Sequence, residues 1–264
     1  MLFRGAEVFE YSMSVDNVQN RAKETLIMIP CFNEEASVGI VIEEIRAKFP
    51  DFKILVINDC SNDTTSEEAR KTGHATVIDL PVNLGVGGAV QTGFKYAVEN
   101  NFSFAIKFDG DGQHDSAGLS SLLQPLHDDQ ADIVTGSRFL QDNMGFKSTF
   151  WRRCGIKFFE LVCQILTGSR LTDPTSGLRA YNRKAISFMA RHYPSFDYPE
   201  PEEIILASKN SLRMVEVPVV MRERQTGVST ISSAMSIYYM FKVTLAMLFI
   251  YLREPETKVS KNDV

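Results

Sequence analysis

Two carboxylates separated by a single glycine, Asp109 and Asp111, lie in the segment KFDGDGQHD directly after the apolar run FSFAI. Carboxylates at this spacing can flank one hard divalent cation, because Mg²⁺ and Mn²⁺ prefer oxygen ligands and keep phosphate and water in their coordination shell. Such a cation would screen the charge of a departing diphosphate. Asp and Gly are also common in tight turns, so the segment alone leaves a metal site and a plain turn both open.

Short apolar runs rich in β-forming residues alternate with longer helix-like segments from Thr25 onward. Continuous apolar strands alternating with helices predict an α/β fold with a mostly parallel sheet that is covered on both faces. The predicted strands are TLIMIP (25–30), FKILVIN (52–58), ATVIDL (75–80), FSFAIKF (102–108), ADIVTG (131–136) and RMVEVPVVM (213–221). Helices are predicted over residues 34–48, 151–167 and 234–252. Of three further predicted helices, one begins near residue 63, one ends near residue 100 and one begins near residue 116.

Polar clusters follow the first four predicted strands, at the point where each strand ends. These clusters are CFNEE, NDCSNDT, NLGVGG and DGDGQHD. Ligands of open parallel sheets bind beyond the carboxyl ends of the strands. The sequence therefore predicts a ligand site at this edge of the sheet.

Charge and cysteine content exclude some classes of protein. The chain has 264 residues and a net charge of −5, which argues against a broad basic surface for nucleic acid. Its four cysteines lack metal-ligand spacing and are interpreted as reduced thiols. The predicted organisation is an extension (1–24), one main domain (25–230), an apolar helix (231–252) and a polar tail (253–264).

Seven segments occur in an order that resembles a known family. They are IPCFNEE, VINDCSNDTT, NLGVGGAVQTGF, FDGDGQHD, TGSRF, DPTSGLRAYNR and VPVVMRERQTGVST, and they span roughly residues 25–230. Together they resemble the family-2 nucleotide-sugar glycosyltransferases, in particular the polyprenyl-phosphate (dolichol-phosphate) hexose transferases. The resemblance implies the GT-A, Rossmann-like fold, a nucleotide-diphosphate-sugar donor and a Mg²⁺ or Mn²⁺ cofactor.

The resemblance also implies roles for residues on the donor side. Asp109, Asp111 and Gln113 would hold the metal and diphosphate, and Asp111 would be catalytic, whereas His114 is interpreted as a local hydrogen-bonding residue. Nucleotide contacts would come from Pro30, Phe32, Glu34, Asp59, Gly85 and Gly88. Asp59 would accept a hydrogen bond from the base. The family pattern has two acids where this chain has Asn58 and Asp59, so the preferred base stays open.

Arginines near the glycine-containing segment RERQTGVST suit phosphate oxygens, because guanidinium groups bind them bidentately. The resemblance assigns phosphate contacts to Arg138, Arg179, Arg222, Arg224 and Ser229, with Arg222 also catalytic. Thr230 stands where the resembled branch commonly has a lysine after the serine, which weakens the argument for an acceptor phosphate.

The acids of FDYPEPEEIILAS leave the acceptor open. Transfer to a hydroxyl needs a carboxylate base, whereas a phosphate acceptor is already anionic and needs none. Glu202 is the candidate for this base or for a residue that orients the acceptor. Acids in the first turn of a helix also complement its dipole.

The closing segment, 234–252, is apolar nearly all round and carries Lys242 near its middle. Such a helix must be buried in protein, in lipid or against a partner, and the central lysine disfavours a lone membrane span. We expect an interfacial helix at the cytoplasmic face of the membrane or a helix bound to a small membrane-protein partner; a single span, a core helix and a homo-oligomer contact are the alternatives.

Together these features predict an inverting transferase that moves a sugar, with UDP-N-acetylglucosamine or UDP-glucose as the expected donor, to a polyprenyl phosphate in cell-envelope glycan synthesis. Transfer to a hydroxyl of a lipid-linked polysaccharide is an alternative. A nucleotide-sugar-binding scaffold without activity is a second alternative, against which the Asp109–Asp111 pair and the arginines argue.

Overall fold

A computed structural model of the chain describes residues 23–112, 115–140, 150–194, 198–220 and 233–256. Within these ranges seven strands form a single sheet. The strands are β1 (Thr25–Cys31), β2 (Lys53–Asn58), β3 (Ala75–Asp79), β4 (Phe104–Lys107), β5 (Ile133–Ser137), β6 (Arg179–Asn182) and β7 (Met214–Pro218). Their order across the sheet is β3-β2-β1-β4-β6-β5-β7.

Helices follow most of the strands, as the alternating pattern predicts. In the described residues they are α1 (Val38–Lys48), α2 (Thr65–Lys71), α3 (Gly85–Glu99), α4 (Leu119–His127), α5 (Phe150–Thr167), α6 (Arg183–His192), α7 (Pro199–Lys209) and α8 (Ser233–Leu252). A short 3₁₀ turn, Ser116–Gly118, precedes α4.

The prediction of a mostly parallel sheet is confirmed, with one exception. Strand β6 runs antiparallel to both of its neighbours, β4 and β5, whereas the other strand pairs are parallel. Neither β6 nor α6 is among the predicted elements, because the four-residue strand is embedded in a segment rich in turn residues. Asn182 is the last residue of β6 and the N-cap of α6, because its side chain accepts a hydrogen bond from the backbone N–H of Ala185 at 3.0 Å.

Alternate residues of the central strands face two apolar layers. Ile27 and Ile29 of β1 face one layer, to which α1 and α4 contribute. Leu26 and Met28 face the other layer, which includes residues of α3 and α6. Burial on both faces explains why these strands are continuously apolar rather than alternating.

A third apolar cluster joins α5, α7 and α8. Its fully buried members include Phe159 and Cys163 of α5, Ile204 and Ile205 of α7, and Met247 of α8. The predicted closing helix is therefore present as α8 and packs one side against the domain. In the described part of the chain no helix combines the length and apolarity needed to cross a membrane.

Candidate functional site

The loops that follow β1 and β2 are bonded to each other. The backbone N–H of Asn33 donates to Ser61 Oγ at 2.9 Å, and that of Glu34 donates to Thr65 Oγ1 at 2.8 Å. These bonds hold the CFNEE segment as a turn, and α1 therefore begins at Val38 rather than at the predicted Glu34. Phe32 of this turn is 46% exposed at the edge of the sheet.

Asp59 connects the end of β2 to the glycine-containing turn before α3. Its Oδ1 accepts a hydrogen bond from the backbone N–H of Leu84 at 2.6 Å, and its carbonyl accepts one from Asn83 Nδ2 at 3.1 Å. Burial raises the pKa of Asp59, and the backbone bonds from Leu84 and Gly85 act in the opposite direction. One oxygen of the predicted base-binding carboxylate is thus engaged by the protein itself.

Gly85 begins α3 with a φ of 73°, a conformation that residues with a Cβ adopt at a cost. Gly88, one turn further, lies against the side chain of Leu84, where a Cβ would collide with it. The two predicted glycines thus shape the helix N-terminus, where backbone N–H groups favour an anion.

Asn58, which replaces an acid of the family pattern, is buried in a polar cluster. Its Nδ2 donates to Asp79 Oδ1 at 2.9 Å and to Ser66 Oγ at 3.2 Å. Burial by itself raises the pKa of Asp79, but bonds from Ser66, Arg70 and Asn58 outweigh it and hold that pKa at about 2. An acid at position 58 would face the ionised Asp79, so the amide suits this site better than a carboxylate.

Asp109 packs directly against Gly177. The antiparallel register pairs Lys107 with Arg179, and a Cβ placed at Gly177 would lie 2.7 Å from Asp109 Oδ2. A Cβ placed at Gly110 would lie 2.7 Å from Cys31 Sγ. The DGD segment therefore lies between the end of β1 and the turn before β6.

Carboxylates concentrate negative charge at this edge of the sheet. Burial is the main reason that the pKa of Cys31 is strongly raised, and the charges of Glu34, Asp109, Asp63 and Asp111 raise it further. A cation is favoured where like charges accumulate in this way.

Within the described ranges no three His, Cys, Asp or Glu side chains form a complete metal site. Asp109 and Asp111 remain as the two candidate carboxylate ligands predicted from the sequence. Two carboxylates fit a hard cation that takes its remaining ligands from phosphate and water, so the residues present suit Mg²⁺ or Mn²⁺.

Arg138 is held in a buried ion pair with Asp173. Its Nε and Nη2 each lie 2.6 Å from a carboxylate oxygen, and Nη2 also donates to Thr175 Oγ1 at 2.8 Å. Glu216 accepts bonds from the backbone N–H groups of Thr172 and Asp173. Through its bonds to Asp173 and Thr175, Arg138 holds the DPTSG turn in place, and its side chain is only 4% exposed.

Arg179, for which the sequence predicts a phosphate contact, has a different environment. Its side chain is fully buried, its Nη1 lies 3.1 Å from Glu203 Oε2, and its Nη2 donates to the carbonyls of Pro174 and Glu200. A guanidinium without exposed surface does not face a ligand, so Arg179 is left out of the proposed donor contacts.

Glu202 lies in the first turn of α7 and is 5% exposed. The ring of Tyr198, which precedes the helix, packs edge-on against Tyr239 of α8 at 4.4 Å between centroids. Burial is the main reason that the pKa of Tyr239 is raised, and the charges of Glu200, Tyr198 and Glu202 raise it further, so Glu202 lies near the contact between α7 and α8. The predicted contacts Gln113, Arg222, Arg224 and Ser229, as well as His114 and Thr230, fall outside the described residues.

The sequence pattern does not single out three residues that shape the site, namely Lys107, Asp173 and Gly177. It offers Glu200 as one of the acids before α7 but does not predict that Glu200 accepts a hydrogen bond from Lys107. The segment DPTSG signals that the turn matters, but its individual contacts depend on the antiparallel register of β6, which the sequence does not reveal.

Comparison with known proteins decides the family. The sequence model described as "Glycosyl transferase family 2" matches residues 26–188, more than half of the chain. The chain belongs to glycosyl transferase family 2. The matched region begins within β1, extends through β6 and includes the carboxylates of the DGD segment. The sheet edge described above therefore lies within the family's domain.

Two relatives illustrate the branch. Polyprenol monophosphomannose synthase of Mycolicibacterium smegmatis is 30% identical over 230 residues, which cover 84% of this chain and 86% of the relative. UDP-N-acetylglucosamine–dolichyl-phosphate N-acetylglucosaminyltransferase of Methanococcus voltae is 29% identical over 210 residues, covering 73% and 83%. The predicted resemblance to polyprenyl-phosphate sugar transferases of family 2 is confirmed.

Solved structures confirm the fold. Glucosyl-3-phosphoglycerate synthase of Mycobacterium tuberculosis, crystallised with Mn²⁺, UDP and its product, superposes with a TM-score of 0.65 over 95% of this chain and 88% of the synthase. Sequence identity is 16%, so the likeness concerns the GT-A-type α/β fold. The family-2 member described here is therefore a glycosyltransferase in fold and in family.

Proposed function

We propose that the protein transfers a sugar from a nucleotide-diphosphate donor to the phosphate of a polyprenyl phosphate. The observation that carries this proposal is the convergence of the DGD carboxylates, the Asp59 turn and the N-terminus of α3 at one edge of the sheet. This edge offers a cation site beside an anion site, and a metal-bound diphosphate requires both.

On the donor side, Phe32 offers an exposed ring near the nucleotide, and Asp59 fixes the turn that opens α3. Pro30, Glu34, Gly85 and Gly88 are proposed to line the same nucleotide site. A cation held by Asp109 and Asp111, with Gln113 as the third predicted ligand, would neutralise the departing diphosphate. Arg222, Arg224 and Ser229 are proposed to contact the phosphates, and Arg138 secures the neighbouring turn.

On the acceptor side, the names of the relatives favour a lipid phosphate. The acceptor oxygen is anionic near neutral pH and attacks the anomeric carbon without a base, from the face opposite the leaving group, so that the configuration inverts. Glu202, beside the contact between α7 and α8, orients the acceptor.

Two neighbouring helices support a membrane location for this reaction. On α5, Leu161 and Ile165 are 55% and 70% exposed, and on α8, Phe241 and Phe249 are 69% and 64% exposed. Exposed cations, including Arg153, Lys157 and Lys242, lie among these apolar side chains. Apolar side chains mixed with cations suit the surface of an anionic leaflet, and we place the protein there, at the cytoplasmic face.

A screen of donors identifies the sugar and the nucleotide that the protein uses. Radiolabelled UDP-N-acetylglucosamine, UDP-glucose and GDP-mannose would each be incubated with undecaprenyl phosphate and Mn²⁺, and the lipid product analysed by mass. We expect one donor to give a polyprenyl-phosphate sugar. Transfer only to lipid-linked glycans would support the hydroxyl acceptor instead, and tight binding of UDP without any transfer would support a scaffold.

A further inference from the structure

Two buried cationic side chains, one lysine and one arginine, lie side by side on the adjacent strands β4 and β6. Lys107 of β4 and Arg179 of β6 are directly paired in the antiparallel register, and both side chains are fully buried. Like charges at opposed positions destabilise a strand pair, and a buried charge needs a partner of opposite sign. The two cations must therefore be compensated from outside the sheet.

Helix α7 supplies the compensating charges. Lys107 Nζ donates to Glu200 Oε1 at 2.6 Å, and Arg179 Nη1 lies 3.1 Å from Glu203 Oε2. Arg179 Nη2 also donates to the backbone carbonyl of Glu200 at 3.0 Å. The first turns of α7, which carry Glu202, are thus bonded to two neighbouring strands.

The same cations lie next to the proposed metal site. Asp109 follows Lys107 by two residues, and Gly177, which abuts its carboxylate, precedes Arg179 by two. Arg179 further donates to the carbonyls of Pro174 and Ser176, in the turn that leads to Gly177. Lys107 and Arg179 therefore connect the strand that leads into the DGD segment to helix α7, which begins the proposed acceptor side.

We propose that Lys107 and Arg179 are positioning residues that fix the start of α7, with Glu202, relative to Asp109. This inference rests on the proposed function, since it assigns Asp109 to the donor and Glu202 to the acceptor. Stability alone is a weak reason for such a network, because well-packed apolar residues often replace buried ion pairs without loss. Tyr193, whose hydroxyl donates to Glu203 Oε2 at 3.2 Å, belongs to the same network.

The test distinguishes a role of Lys107 in positioning α7 from a role in the stability of the fold. Lys107→Met and Glu200→Gln each remove one side of the Lys107–Glu200 pair, and the combined Lys107→Met/Glu200→Met variant replaces it by apolar residues. Asp132→Asn is the matched control, because Asp132 is a buried partner of Lys184 and Arg213 just before β5, away from the strand ends that form the site. The measurements are UDP affinity with Mn²⁺, kcat and acceptor KM, melting temperature and amide exchange in α7.

We expect both single variants to lower kcat by about tenfold or more, the range seen when the support of a site residue is lost. UDP affinity should change by less than about threefold, and the first two turns of α7 should exchange about tenfold faster. The apolar double variant should regain melting temperature but not kcat. Asp132→Asn should lower the melting temperature and leave kcat and α7 exchange unchanged.

The proposal is overturned if the Lys107 and Glu200 variants lower kcat no more than Asp132→Asn does, or if exchange in α7 is unchanged. Recovery of kcat together with melting temperature in the apolar double variant would also overturn it, because the role would then be structural. A wild-type protein that binds UDP with Mn²⁺ but transfers no sugar would contradict the proposed function and the catalytic part of this inference, while α7 exchange still decides whether the pair holds the helix.

Discussion

The carboxylate of Asp109 lies against the backbone of Gly177, so closely that a Cβ at position 177 would fall 2.7 Å from Oδ2 and 3.0 Å from Oδ1. The two residues are 68 positions apart in the sequence. They meet because β6 runs antiparallel beside β4. The turn before β6 therefore sets where the proposed metal-binding carboxylate can lie.

Replacing Gly177 by Ala should displace Asp109 while leaving the sheet folded. The affinity for UDP in the presence of Mn²⁺ should fall by about tenfold or more, as is typical when the support of a metal ligand is lost. Calorimetric titration measures this. Gly39→Ala is the control, since a Cβ there would meet only Glu68 O, at an ordinary 3.9 Å. Equal affinities for the two variants would show that Gly177 does not position the carboxylate.

Gly85→Ala tests the turn that Asp59 holds. The φ of 73° at this position costs an alanine about 1 kcal/mol of unfolding free energy, and the shifted N–H groups should weaken UDP binding several-fold. Gly73 has a similar φ of 66° but precedes β3, at the opposite edge of the sheet. Gly73→Ala should thus lose comparable stability in urea unfolding without losing UDP affinity; weakened binding in both variants would count against a local role for Gly85.

Asp132 should contribute stability that depends on pH. Burial alone raises its pKa, but bonds from Arg213, Asn182 and Lys184 outweigh this effect and lower the folded-state pKa to about 2. Because the unfolded-state value is higher, the contribution is complete above about pH 4 and is lost as the pH falls toward 2. Asp132→Asn should cost about 2 kcal/mol at pH 7. In urea unfolding the gap to wild type should narrow below pH 4, and a gap independent of pH would contradict this assignment.

The exposed face of α5 and α8 should bind anionic vesicles. Ile165→Ser together with Phe241→Ser removes two exposed apolar side chains, and each one buried in lipid is worth roughly 1 kcal/mol or more. Vesicle binding in a sedimentation assay should therefore weaken by about tenfold or more. Ile40→Ser is the control, because Ile40 is 69% exposed on α1, outside this face. Equal loss of vesicle binding in the Ile40→Ser variant would show that the exposed face of α5 and α8 is not the specific membrane contact.

Much of this fold could be predicted because its strands are apolar on both faces and their ends are marked by polar clusters. The carboxylates of the DGD segment belong to one of these polar clusters, so they too are recognisable in the sequence. The roles of Arg138 and Arg179 could not be predicted. Both are arginines in family motifs, but their partners, Asp173 and Glu203, are brought to them by β6 and α7. Local sequence patterns do not encode such pairing, since the register of an antiparallel strand depends on distant residues.

The DGD carboxylates are proposed to support sugar transfer to a polyprenyl phosphate. The most direct measurement compares wild-type protein with Asp111→Asn for transfer of radiolabelled sugar to undecaprenyl phosphate in the presence of Mn²⁺. We predict a lipid-linked product from the wild type and a rate lower by about a thousandfold in the variant, which corresponds to about 4 kcal/mol of transition-state stabilisation. Equal rates for the two proteins, or no lipid product from the wild type with any nucleotide sugar, would contradict this proposal.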